Sequence, residues 1–178
     1  MDPAHDALIA IGAVAMRGGQ VVPGDSFEVI LRQDTASTRA NIVVHGVGVG
    51  AQKGGADPPQ ALRAFLEYAG TAPLLAFHAP FDRSFLQRAV RRSPGAVLGD
   101  RWLDVAQLAS AVQPKLRLRS LDEWLEATRT PVLARHSAVA DAFATALLVA
   151  RLLPEARRQG AGGFRELQRL ARQAKWLQ

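Results

Sequence analysis

An α/β fold, antiparallel at its start and parallel further on, is what the order of residue types in this chain predicts. Three observations carry that expectation. Short apolar runs at residues 8–15 and 74–77 have the length and composition of strands, and longer stretches with helical periodicity separate them. Residues 74–86 read as one strand–turn–helix unit. Leu74-Leu75-Ala76-Phe77 leads into a turn through Ala79-Pro80, and Phe81, Phe85, Leu86 and Ala89 then follow at i, i+4, i+5 and i+8. The strongest helix pattern comes late, with Val139, Ala142, Phe143, Ala146, Leu147 and Ala150 on one wide apolar face.

The 178 residues suit one domain with a real core, and an apolar content of 48% argues against disorder. Cysteine is absent, which excludes a disulfide frame and a thiolate zinc centre. A net charge of +6 and a sequence pI near 10.9 lean toward polyanionic partners, with Arg supplying most of the positive charge. The apolar run at 7–16 is too short to span a bilayer, and Asp2 and Asp6 precede it where a signal peptide would be basic. A cytoplasmic protein with no membrane partner is the expectation.

Residues 8–15 are apolar on both alternating faces, as in a strand buried on both sides. Arg17-Gly18-Gly19-Gln20 makes a turn, and a second strand follows at 26–31, with Pro23-Gly24 marking an irregularity. After a polar loop at 33–39, glycines recur through 42–55, which suits backbone lying close to a ligand or a mobile loop. No Gly-Lys-Ser/Thr follows, so this is not a phosphate-binding P-loop. Asp57-Pro58 opens a helix with Leu62, Phe65, Leu66 and Ala69 as its stripe and Gly70 as its stop. Ser93-Pro94-Gly95 breaks the helix begun at 81, and 97–103 supplies another short strand.

Asp104-Val105-Ala106-Gln107 then resembles a capping box, which makes Asp104 a cap rather than a catalyst. Ser120-Leu121-Asp122-Glu123 is a cleaner one, ahead of a helix with Leu121, Trp124 and Leu125. The long helix at 137–153 is expected to end at Pro154, with a hinge at 160–163. The tail from 164 sets Phe164, Leu167, Leu170, Ala171 and Ala174 against Arg165, Arg169, Arg172 and Lys175. It reads either as a docked accessory helix with a solvated basic face or as a nucleic-acid or partner contact. The expected division is a main domain over 1–153 and a C-terminal helical extension over 154–178.

Two places hold candidate chemistry. Asp82 falls in the first turn of a helix that follows a strand. A first-turn Asp favoured by the helix dipole and a carboxylate aimed into an active-site crevice both fit it. His136 and Asp141 are five residues apart, which on one helix would point them about 140° apart. With Ser137 as the cap, His136 lies outside the helix and can bend toward the same site. An imidazole that moves and titrates beside a fixed carboxylate suits a general base next to a metal ligand.

Phe77-His78-Ala79-Pro80-Phe81-Asp82 resembles the second motif, H-N-A-x-F-D, of the DnaQ-like 3′–5′ exonucleases. That family includes the epsilon proofreading subunit of bacterial DNA polymerase III and RNase T. His136 through Asp141 resembles its third motif in the DEDDh form. His45-Gly46-Val47 is similar to its H-G-I-T loop, Ile9 through Val14 to its I-x-x-I-G-A-V strand, and Leu103 through Ala109 to its L-D-T-L-x-L-A segment. The likeness covers about residues 1–153 in the family's order. It implies an RNase H-like α/β fold, a mixed sheet with flanking helices. It also implies that Asp82 and Asp141 bind Mg²⁺ or Mn²⁺ in a two-metal site, and that His136 deprotonates the attacking water. His45, Gly46, His78 and Phe81 would then lie by the terminal nucleotide, although His45 and His78 also suit ordinary loop or strand-end positions. The implied partners are the 3′ ends of single-stranded DNA or RNA, and a polymerase or other protein.

Departures from the family pattern are the His78 that stands in place of its Asn, and Gly48 in place of a Thr. The family also begins with a central strand carrying D-x-E-T-T-G-L-D-P. This chain opens Met1-Asp2-Pro3-Ala4-His5-Asp6, as if entered at the Leu of G-L-D-P. Either the start is an internal Met with D-x-E upstream, or the chain is a truncated, inactive relative. The first is preferred, because loss of a central strand would expose backbone and apolar faces at large cost to a marginally stable domain. Two carboxylates alone hold two dications weakly, so the chain as written is expected to be poorly active or inactive. The competing class is a non-catalytic module that keeps the fold to bind nucleic acid or a partner. A zinc site from His45, His78 and His136 lacks short paired spacing.

Overall fold

The computed structural model describes residues 8–33, 49–131 and 137–173. It opens with an antiparallel ribbon, β1 (Ala10–Arg17) and β2 (Gln20–Ile30). Gly18 and Gly19 join the strands at φ 62° and 88°, the left-handed pair that a two-residue hairpin needs. Pairing runs Gly12↔Glu28 to Val14↔Ser26 and then jumps to Ala15↔Val22, so Pro23, Gly24 and Asp25 bulge out of β2. Proline, which has no N–H for the ladder, sits where none is required. The second strand is therefore longer than 26–31, and the expected irregularity lies within it.

Next come α1 (Val49–Lys53), α2 (Pro58–Ala69), β3 (Leu74–Ala76), α3 (Ala79–Arg91), β4 (Trp102–Asp104), α4 (Val105–Val112), α5 (Leu121–Ala127), α6 (Ala138–Arg158) and α7 (Phe164–Gln173). β3 and β4 pair in parallel, Leu74↔Trp102, Leu75↔Leu103 and Ala76↔Asp104. The α/β expectation and its antiparallel-then-parallel order hold, with the two pairs standing as separate two-stranded sheets among the described residues. The strand expected over 97–103 is confined to Trp102–Asp104, because β3 offers only three residues to pair with.

Two apolar cores lie on either side of the parallel pair. One gathers Leu103, α4, Trp124 and Leu125 of α5, the buried face of α6, and Leu167 and Ala171 of α7. The other gathers Ile11, Leu31, Leu86 and the Ala61, Leu62 and Phe65 face of α2. Leu75 and Leu103 face the first core, while Leu74 and Trp102 face the second, as strand alternation requires. β1 is only partly buried: Ile11 is covered, but its strand neighbours are half-exposed. Those half-exposed positions correct the doubly buried expectation, and among the described residues the strand has a partner along one edge.

The long helix passes straight through Pro154 and ends at Arg158, with Gln159 as its C-cap. Leu152, Leu153 and Ala156 are buried on both sides of the proline, and their burial together, at roughly 1.5–3 kcal/mol for each Leu, offsets the local penalty of about 3 kcal/mol. Gly160, at φ 82°, supplies the stop instead, with Ala161 N–H donating to Ala156 O at 2.9 Å in a Schellman-type closure. The boundary at 153/154 thus falls inside α6. α7 is docked through Leu167 and Ala171. No helix among the described residues is long and apolar enough to cross a membrane.

Candidate active site

The parallel pair ends at Ala76 and Asp104, and the chain enters a helix at once after β4 and two residues later after β3. After β3 it turns at His78, which takes left-handed backbone angles, φ 62° and ψ 51°, at the N-cap of α3. Asn, Asp and His tolerate that region better than most side chains. The His78 ring packs edge-on to Phe77 at 4.6 Å. Its Nε2 lies 3.1 Å from the Arg119 carbonyl, which can only accept, so Nε2 carries the proton there. Phe81 is 37% exposed and leans on Phe85 at 4.9 Å.

Asp82 occupies the first turn of α3, as expected. The residue is exposed overall, and the protein packed around it still thins the water about its carboxyl group. Loss of water around it is the largest influence, pushing its pKa from 3.8 up to about 6, and the charge of Asp104 pushes the same way. A hydrogen bond from its own backbone and the nearby His78 pull in the opposite direction. Asp104 is the cap that the sequence suggests, its Oδ1 accepting from Ala106 N–H at 2.9 Å and Gln107 N–H at 3.2 Å.

Asp141 lies in the first turn of α6. Ser137 caps that helix through Ala140 N–H at 3.2 Å, and Glu28 of β2 accepts from Val139 N–H at 3.1 Å. The helix start comes down onto β1 at Gly12, where a Cβ would meet the backbone carbon of Ala138 at 2.1 Å. Only glycine admits that approach.

Asp82 therefore shares its electrostatic surroundings with Asp104 and His78, while Glu28 of the ribbon holds the helix start that carries Asp141. Among the described residues no three His, Asp or Glu side chains gather closely enough to hold a metal ion between them. His45, Gly46 and His136 lie outside the described residues. Sequence reasoning missed Glu28 and the His78–Arg119 tie, since both join segments far apart in the chain. It also weighed Asp104 as a cap without seeing it as the charge beside Asp82.

A family model for the RNase T family, described as exonuclease, matches residues 1–149. The chain is 30% identical over 161 residues to a DNA polymerase III subunit epsilon-like protein of Rhodobacter capsulatus, covering 89% of this chain and 23% of that protein. It is 26% identical over 170 residues to the PolC-type DNA polymerase III of Thermotoga maritima, covering 96% of this chain and 12% of that protein. It spans less than a quarter of the length of either relative. Exonuclease X, solved in complex with 5′ overhanging duplex DNA, superposes with a TM-score of 0.72 at 18% identity, over 92% of this chain and 90% of that one. The chain belongs to the RNase T exonuclease family, among the DnaQ-like exonucleases, and its fold is the RNase H-like fold of that group.

Proposed function

We propose that this chain is a 3′–5′ exonuclease domain that hydrolyses the terminal phosphodiester bond of single-stranded DNA or RNA. The observation that carries the reading is Asp82, a carboxylate placed at the end of a parallel strand pair and held there at a cost to its ionised form. A penalised carboxylate near a second carboxylate is a group that a cation stabilises. Its hard oxygens suit Mg²⁺ or Mn²⁺, which are commonly held by one or two carboxylates together with substrate phosphates. Asp82 and Asp141 are the residues that would hold such ions. When bound, they would supply charge neutralisation at the phosphate and a more acidic water.

His136 takes the proton from the attacking water in this reading. His45, Gly46 and His78 line the terminal nucleotide, and the exposed Phe81 ring offers a face for its base. The DNA in the Exonuclease X complex supports nucleic acid as the substrate class, and the names of the polymerase relatives support a polymerase as partner.

The test uses 5′-labelled single-stranded DNA and RNA with Mg²⁺ or Mn²⁺. A slow ladder growing from the 3′ end is expected, lost in EDTA and slowed at least about 100-fold by Asp82→Ala, as for a group worth several kcal/mol to the transition state. A ladder untouched by that substitution would remove Asp82 from the reaction. An intact strand that stays bound in a native gel would overturn hydrolysis and leave a binding module.

A further inference from the structure

Residues 113–120, between α4 and α5, alternate in character. Leu116 and Leu118 pack against the larger core, while Lys115, Arg117 and Arg119 stay exposed. The segment presents three cations on a solvent edge, and the acids of α5 begin only after it. Neither Lys115 nor Arg117 has an ion-pair partner among the described residues. Arg119 has Glu123 nearby, but that carboxylate accepts the Arg119 and Ser120 backbone N–H groups at 2.8 Å each. Those bonds hold it below the usual carboxylate range.

One contact ties this comb to the candidate site. The His78 side chain makes no capping bond to its own helix. It reaches instead to the Arg119 carbonyl, across forty-one residues of sequence. The backbone conformation that permits this is one a non-glycine residue rarely adopts, sustained where surrounding contacts fix it. Asp82 lies four residues further along, in the first turn of the same helix.

We infer that His78 is a positioning residue that clasps the 113–120 segment to the start of α3, and that Lys115, Arg117 and Arg119 grip the sugar–phosphate backbone of the strand entering the site. The inference rests on the nuclease reading above. Repeated phosphates are the partner that a row of unpaired Lys and Arg side chains fits, through counterion release rather than base readout.

The experiment measures binding of a labelled oligothymidylate against KCl concentration, in EDTA, with Asp82→Ala as the uncleaving parent. Replacing Lys115, Arg117 and Arg119 together by Ala is expected to flatten the slope of log K against log salt by about 2, since each single-strand phosphate contact contributes about 0.7. Affinity at 0.1 M salt falls about tenfold or more. His78→Ala, with every cation still present, flattens the slope by about 1. His78→Asn, which keeps the left-handed tolerance but not the reach of the ring, does the same.

The matching triple change at Arg165, Arg169 and Arg172 of α7 leaves the slope unaltered. If the alanine comb loses its fold on melting, glutamine at the same three positions carries the test. An unchanged slope in the comb variants would overturn the phosphate grip, and a slope that falls only in the α7 variant would move it there. A parental slope in both His78 variants would reduce His78 to a brace. A parent with no salt-dependent binding at all would sink the nuclease reading itself, a distinct result.

Discussion

The core around Trp124 is helix on helix, with α4, α5, α6 and α7 burying Leu, Val and Ala faces against one another. The core around Phe65 sets α2 against the ribbon and fills its space with rings, Phe27 lying 5.9 Å from Phe65 and 5.4 Å from Tyr68. The three-residue strands β3 and β4 form the wall between the two, and Asp82 and Asp104 stand where that wall ends. The contrast separates two tasks. The helical core sets stability, and the seam between the cores sets the position of the carboxylates.

The sharpest way to break that contrast is at Trp124, which is fully buried with no partner for its Nε1 among the described residues. Trp124→Ala is expected to cost about 3–5 kcal/mol and to lower Tm by about 10 °C. Trp124→Phe keeps much of the ring and removes an unpartnered N–H, so its cost in urea melts should be less than half as large. A Trp124→Ala chain as stable as the parent would mean that the helical core does not dominate.

A smaller effect is expected where α6 joins the ribbon to the helical core. Gly12→Ala places a methyl group onto the Ala138 backbone, which cannot swing aside as a side chain would. A cost of about 1–3 kcal/mol follows from such overpacking. Because Asp141 is one turn away, nuclease activity should fall by more than the lost stability explains at a temperature where the variant remains folded. Gly24→Ala is the control, with open space around its Cβ and no positive φ. If Gly12→Ala melts like Gly24→Ala, the close approach of α6 to β1 is not a constraint.

These positions also mark how far the residues could be read without the structure. The Ser120 capping box, the Gly18-Gly19 turn and the break at Pro23-Gly24 were legible because each is a local event, decided within a few residues. The family likeness was legible in the order of the motifs, and the family match bears that membership out. Pro154 misled because a local rule lost to the burial of Leu152, Leu153 and Ala156, which only tertiary packing reveals. Asp104 as the neighbour of Asp82, Glu28 at the start of α6 and the His78–Arg119 tie all depend on strand register or on loops meeting across the fold. No spacing along the chain encodes those meetings.

The smallest predicted effect probes the seam itself. Asp82 has a pKa of about 6 in the fold against 3.8 ordinarily, so between those values the folded chain holds more protons than the unfolded one. Stability from this group therefore declines as pH rises from about 4 to about 6, and stays lower above that. Asp82→Asn removes the ionisable group. In EDTA the variant should match the parent near pH 4 and melt about 1–2 °C higher at pH 7.5, the gain kept small because water reaches this exposed residue and screens its charge. Added Mg²⁺ should raise the parent's Tm at pH 7.5 and leave the variant's unmoved, because a cation relieves a penalty that the variant does not have. An equal difference between the two proteins at both pH values would show that the substitution acts through packing, and that Asp82 is not held at a cost to its charge.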